Sequence, residues 1–216
     1  MDRAGLCRAV DEAFAITGAD TPPWPDPHPD GDVRDEEYSR CLEPGKYRIL
    51  AARAEAWTRA LSALGLAEAE PVADPASAWR RAPDVAVSGA VLLRPVHAEA
   101  VPLVFGYSAI DDVPRTVLVL GAGQPAATLQ VLPDCGCDAC DDGSAGLLEM
   151  TDDIVLAVVT GSFVHVDDGR GGEIVATGDS WSASNWGTSA PPVEKVLAEA
   201  RDGRSPYRVV TGPAWA

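Results

Sequence analysis

The chain has 216 residues, 46% of them apolar and 23% charged, the balance of a globular protein long enough to bury a core without staples. Its net charge of −16, from 33 acids against 17 bases, repels phosphate backbones and anionic lipid. It therefore argues against nucleic-acid binding and membrane-surface roles; solubility alone is the plainer reading of it, and a basic protein partner is the functional one. No apolar run approaches bilayer length, the longest being residues 154–159, and the acid-bearing start MDRAGLCRAVDEAFAITG lacks the apolar stretch of a secretory signal. A cytoplasmic protein is expected.

Residues 3–17 are predicted to form a helix with Leu6, Val10, Phe14 and Thr17 on one side and Gly18 as its stop. Five prolines between residues 20 and 32 forbid helix and central strand, so 19–35 reads as an extended, largely polar connection. A second helix is predicted over 46–65. There Leu50, Ala54, Trp57, Leu61 and Leu64 step by four and three, Pro44 precedes them and Gly65 ends the pattern. Trp57 and Leu61 are expected core residues.

From residue 90 the pattern turns to short Val- and Leu-rich runs, read as strands at 90–96, 102–109, 115–120 and 127–132. Their close spacing without intervening helices implies an antiparallel meander. A helix follows at 143–160 with a Leu147, Thr151, Ile154, Val158 stripe. Strands are then predicted at 162–166 and 173–177, a short helix at 192–201, and a last strand at YRVVT. The whole reads as one α+β domain over 1–216, a mostly antiparallel sheet with helices packed on one face and a sheet-containing core at 90–216.

One segment is chemically loaded. Residues 134–142 read DCGCDACDD, so three of the five cysteines, Cys135, Cys137 and Cys140, fall within six positions. Cys137 and Cys140 have the C-x-x-C spacing that wraps a turn around a tetrahedral zinc, and Cys135 adds a third thiolate. A fourth ligand must then come from Cys41, Cys7, a histidine or a neighbouring Asp. Thiol redox chemistry is a second reading, since a helix start lowers a thiol pKa, although the adjacent acids oppose the thiolate. A structural turn or local disulfide is a third. The strand before the motif, the sharp turn at Gly136 and the i, i+3 relation of Cys137 and Cys140 all predict that the three sulfurs converge. Cys7 and Cys41 read as buried helix residues.

The segments YSRCLEPGKYRILAARAEAWTRAL (38–61) and CGCDACD (135–141) resemble an actinobacterial family of uncharacterised proteins, a domain of unknown function. The resemblance covers residues from about 36 to the 180s. It implies a small intracellular protein and brings no activity, cofactor or catalytic residue.

Other constellations are weaker. His165-Val-Asp167 has the H-x-D spacing of an iron triad but no later histidine, so His165 reads as a strand residue facing solvent or a neighbour. Ser180 and Ser182 lack the second glycine of a nucleophile elbow. Gly121-Ala-Gly123 lacks the third glycine and the helix of a dinucleotide fingerprint, and reads as a hairpin turn. The loop 178–189 places Trp181, Asn185 and Trp186 among serines, a composition suited to a binding surface; one tryptophan capping a sheet edge is the plainer alternative.

The expected function is thus a non-catalytic protein-binding role, immunity- or regulator-like, with a structural metal, zinc being the candidate, at the cysteine loop. The alternative is a small metal- or thiol-dependent enzyme with its site at Cys135–Cys140. A pocket beside the cysteines would favour the enzyme.

Overall fold

Pro44 opens a 3-10 turn, Pro44–Tyr47, that passes directly into helix α2, Arg48–Ala63, in the computed structural model, which describes residues 2–31, 33–178, 180–187 and 190–216. Leu50, Ala54, Trp57 and Leu61 are each 0% exposed, so the periodicity places the buried face correctly. Leu64, assigned to the same face, lies beyond the last helical turn and is 38% exposed. Helix α1, Arg3–Thr17, is capped by the Asp2 carboxylate, which accepts from Gly5 N at 2.8 Å. It packs Leu6 and Val10 against α2, while Phe14 and Thr17 remain half-buried.

The strands form two antiparallel sheets. The first has the order β1-β2-β3-β4-β5, with β1 Ala67–Pro71, β2 Gly89–Pro95, β3 Leu103–Ile110, β4 Val113–Gly123 and β5 Ala126–Leu132. Its strands alternate between faces, as a pleated chain must. Leu93, Leu103, Phe105, Leu118 and Leu120 point into the main core with α1, α2 and helix α3, Ser144–Val159. Leu92, Val104 and Val119 face the opposite side, where Trp79 covers them. Trp79 lies flat on two glycines: an added Cβ would approach its ring to 2.6 Å at Gly106 and 2.5 Å at Gly121. The hairpin reading of the Gly121 region holds, with Gln124-Pro125 as the turn and Gly121 and Gly123 at the end of β4.

The second sheet has the order β8-β7-β6-β9, with β6 Phe163–Asp167, β7 Glu173–Thr177, β8 Ser180–Ser184 and β9 Arg208–Thr211. Val164, Val166, Ile174 and Ala176 pack on helix α4, Val193–Arg201, through Val196, Leu197 and Ala200. The fold is α+β with antiparallel sheets, but there are two sheets where one was expected, and β1 and β8 were not anticipated. No helix among the described residues is long and apolar enough to cross a membrane.

Candidate metal centre

Strand β5 ends at Leu132, and the chain turns sharply over residues 133–137. A Cβ at Gly136 would stand 2.7 Å from Ile110 Cδ1, the end of a side chain that would have to shift to admit it. A single 3-10 turn, Asp138–Cys140, then leads through Gly143, at φ +84°, into α3. This path brings the sulfurs of Cys135, Cys137 and Cys140 within 4.8 Å of one another. Cys135 Sγ and Cys137 Sγ are 3.1 Å apart, and Cys137 N donates to Cys135 Sγ at 3.5 Å. Sulfurs sharing a zinc at 2.3 Å bonds stand roughly 4 Å apart, so the cluster has about the right size. All five cysteines are free thiols; Cys137 is buried, Cys135 and Cys140 exposed.

Three thiols this close cannot all ionise unaided. The hydrogen bond from Cys135 holds the Cys137 thiol below its usual range. Its counterpart from Cys137, with burial, pushes Cys140 up to about 12. A bound cation removes that conflict by neutralising the sulfurs together.

Three of the motif's acids, Asp134, Asp138 and Asp141, are engaged elsewhere. Asp138 is fixed to the segment before α2: its N donates to Arg40 O at 2.8 Å, its Oδ1 accepts from Leu42 N at 3.1 Å, and its Oδ2 accepts from Arg40 Nε at 3.0 Å. Arg40 also donates to Glu37 Oε1 at 3.2 Å, and His28 Nε2 lies 3.3 Å from Glu37 Oε2. The Arg34 backbone N–H and guanidinium bring the Glu37 carboxyl down to about 2. Asp141 is buried, accepts from Trp24 Nε1 at 2.8 Å and from Gly143 N at 3.0 Å, and pairs with Lys46. Burial alone would raise its pKa, but these partners outweigh it and hold the carboxyl below its ordinary value.

The same contacts seat the Pro-rich connection. Ser144 N and Oγ donate to Trp24 O at 3.1 and 3.2 Å, and Trp24 N donates back to Ser144 Oγ at 3.1 Å. A Cβ at Gly143 would meet Asp26 N at 2.7 Å. Trp24 and Tyr47 meet edge-on at 5.5 Å, with the Lys46 ammonium 5.5 and 5.3 Å from their ring centres. Trp24, Lys46 and Arg40 escaped the sequence reading, since nothing local marks a partner about a hundred residues away.

Of the proposed fourth ligands, Cys41 sits between the two residues bonded to Asp138, half-buried and outside any helix, contrary to expectation. Its sulfur is not among the group within 4.8 Å. Burial, and then the Asp138 charge, raise its pKa. Cys7 is half-buried on α1 and packs against the main core. His28 is paired with Glu37, and His97 is exposed. His165 is 0% exposed with neither ring nitrogen hydrogen-bonded to the described residues, so it faces a neighbour and not solvent. A cavity of about 170 Å³ lies beside Cys140, lined by Tyr47, Pro133, Leu147 and Met150 among others.

Trp181, Asn185 and Trp186 are not gathered into one pocket. Trp181, on β8, is 46% exposed and borders a groove with Met150 and Thr177. Asn185 and Trp186 border a different hollow with Asp168 and Arg170. Trp186 is half-buried, edge-on to Tyr207 at 5.3 Å, with its Nε1 donating to Pro191 O at 3.1 Å. Ser180 and Ser182 are exposed residues of β8. Thr188 and Ser189 of the same loop lie outside the described residues.

A family described as "Family of unknown function (DUF6226)" matches residues 10–216. The chain belongs to this family. The DUF6226 match takes in α2, both sheets, Cys41 and the three clustered cysteines, and reaches further in both directions than the resemblance read from residues 36 to the 180s. Neither a curated protein nor a solved structure matches.

Proposed function

We propose that the protein is a non-catalytic binding protein whose cysteine loop holds one zinc ion as a structural clasp. The observation that carries this reading is the convergence of Cys135, Cys137 and Cys140 within 4.8 Å, three soft ligands in reach of one tetrahedral ion. The use of Asp138 and Asp141 as tethers to Arg40, Leu42, Trp24 and Lys46 supports a structural role. The loop is where the N-terminal segment is fastened to the sheet, and an ion there would lock both together. The net charge of −16 supports a basic protein as the partner, in the manner of an inhibitor or regulator of such a protein. Trp181, Asn185 and Trp186 are candidate contact residues on its surface.

The cavity of about 170 Å³ beside Cys140 favours a second reading, a metal- or thiol-dependent enzyme using Cys140 at an open coordination position. The test is chelation. Zinc removal from the purified protein is expected to lower its unfolding temperature and to increase protease cleavage within 19–42. An unchanged melt with unchanged cleavage contradicts the clasp.

A further inference from the structure

The choice between a closed and an open centre depends on the fourth ligand. We infer that Cys41 completes the site, giving a four-thiolate centre of Cys41, Cys135, Cys137 and Cys140. This rests on the metal reading above and makes the centre coordinatively closed, as structural zinc sites are.

The argument starts from backbone placement. Asp138 lies between Cys137 and Cys140 in the 3-10 turn of the cluster. Its N–H bonds the carbonyl of Arg40 at 2.8 Å, and its carboxylate accepts from the N–H of Leu42 at 3.1 Å. The two residues flanking Cys41 are therefore fastened to the residue flanked by the cluster. Arg40 Nε on Asp138 Oδ2 at 3.0 Å adds a third tie. Cys41 is carried against the turn by hydrogen bonds that cross roughly a hundred positions of sequence. A cysteine held there has one remaining freedom, rotation about χ1 between staggered wells. Its sulfur turns toward the other three when an ion binds.

The competing donors are engaged elsewhere except Asp142, an exposed carboxylate that is a harder donor than a thiolate and, like Cys41, lies outside the group within 4.8 Å. Asp138 and Asp141 are committed to the contacts already described, and Asp134 accepts from Gln130 Nε2. His28 is paired with Glu37 at 3.3 Å. Cys7 packs in the main core from α1. Cys41 is the remaining soft donor tied to the turn. A Cys41–metal bond would add a covalent-strength tie between the segment before α2 and the β5–α3 connection, parallel to the ion pair of Arg40 with Asp138.

Cobalt replacing zinc in the full-length protein reports the donor set, because sulfur-to-cobalt charge transfer grows with each thiolate. Wild type is expected to take up one cobalt with the near-ultraviolet intensity and visible band positions of four thiolates. The Cys41→Ser variant should lose about a quarter of the charge-transfer intensity and bind zinc about 100-fold or more weakly, beyond the 10–100-fold typical of residues that only orient a ligand. Cys7→Ser, with a far-ultraviolet dichroism check on both variants, should match wild type. A three-thiolate spectrum in wild type, left unchanged by Cys41→Ser, overturns the role of Cys41 while leaving the metal reading intact. Wild-type protein that binds neither zinc nor cobalt overturns both.

Discussion

Replacing Asp152 by alanine removes three hydrogen bonds at once from the centre of the helical layer. Its Oδ1 accepts from Trp57 Nε1 at 2.7 Å and from Arg53 Nε at 2.8 Å, and its Oδ2 accepts from Arg53 Nη2 at 2.6 Å. Trp57 is 0% exposed and the Arg53 side chain 8%, so neither donor recovers full hydration when the carboxylate is gone. An orphaned buried N–H costs about 1–3 kcal/mol, and breaking a buried ion pair from one side costs about 3–5 kcal/mol. Two features place the sum at the low end. The Asp152 side chain is 21% exposed, and Arg53 keeps Asp11 Oδ1 at 2.9 Å. The expected loss is about 4 kcal/mol in a urea titration, or roughly 8–16 °C in melting temperature for a chain of this size. Asp152→Asn should cost less, because its amide oxygen still accepts from Trp57. Trp57→Phe and Asp152→Ala should couple by more than about 0.5 kcal/mol in a double-mutant cycle. An Asp152→Ala loss below about 0.5 kcal/mol, or strict additivity with Trp57→Phe, refutes the buried node.

His165 supplies a pH dependence of defined sign. Burial, and then the nearby Arg80 charge, lower its pKa to about 4, against 6.5 unfolded, so the fold favours the neutral ring. The stabilisation is complete above pH 6.5 and is lost as pH falls toward 4, by about 3 kcal/mol in all. Denaturant titrations across that window should show the loss in wild type and a smaller one in His165→Leu; equal slopes would remove His165 as the cause. Gly143→Ala forces a side chain onto φ +84° and into Asp26 N at 2.7 Å, so it should loosen the Trp24 segment. Limited proteolysis should then cut within 19–35 at least several-fold faster than in wild type, and wild-type resistance would show that this seating is dispensable.

The legible parts of the fold were those set by local pattern. The step of four and three from Leu50 to Leu61 placed the buried face of α2, and short Val- and Leu-rich runs placed β2 to β5. Strands β1 and β8 carried no such pattern. AEAEP buries only Ala67, and SWSAS buries nothing, because each forms one edge of its sheet. Their strand character comes from backbone pairing with β2 and β7, which composition does not record. Nor does a single chain state that strands 1–5 and 6–9 pair separately. Gly106 showed no purpose, and Gly121 read only as part of a hairpin turn, until Trp79, remote in sequence, was found lying on both.

At the candidate site the division is the same. Convergence of three cysteines within six positions follows from turn geometry and could be foreseen. The roles of Asp138 and Asp141 could not, because any of 33 acids was an equal candidate to meet Arg40, Lys46 or Trp24 across the fold. The motif's acids suggested attraction for a cation, whereas two of them tie down the N-terminal segment.

Metal analysis of the purified protein combined with thiol titration bears most directly on the clasp. The protein is supplied with zinc and then dialysed against a weak competing chelator. One zinc per chain is predicted, with Cys135, Cys137 and Cys140 protected from a thiol reagent until a strong chelator is added. No retained metal, with those three thiols reacting at the ordinary rate of exposed cysteines before and after chelation, would contradict it and return the loop to a structural turn.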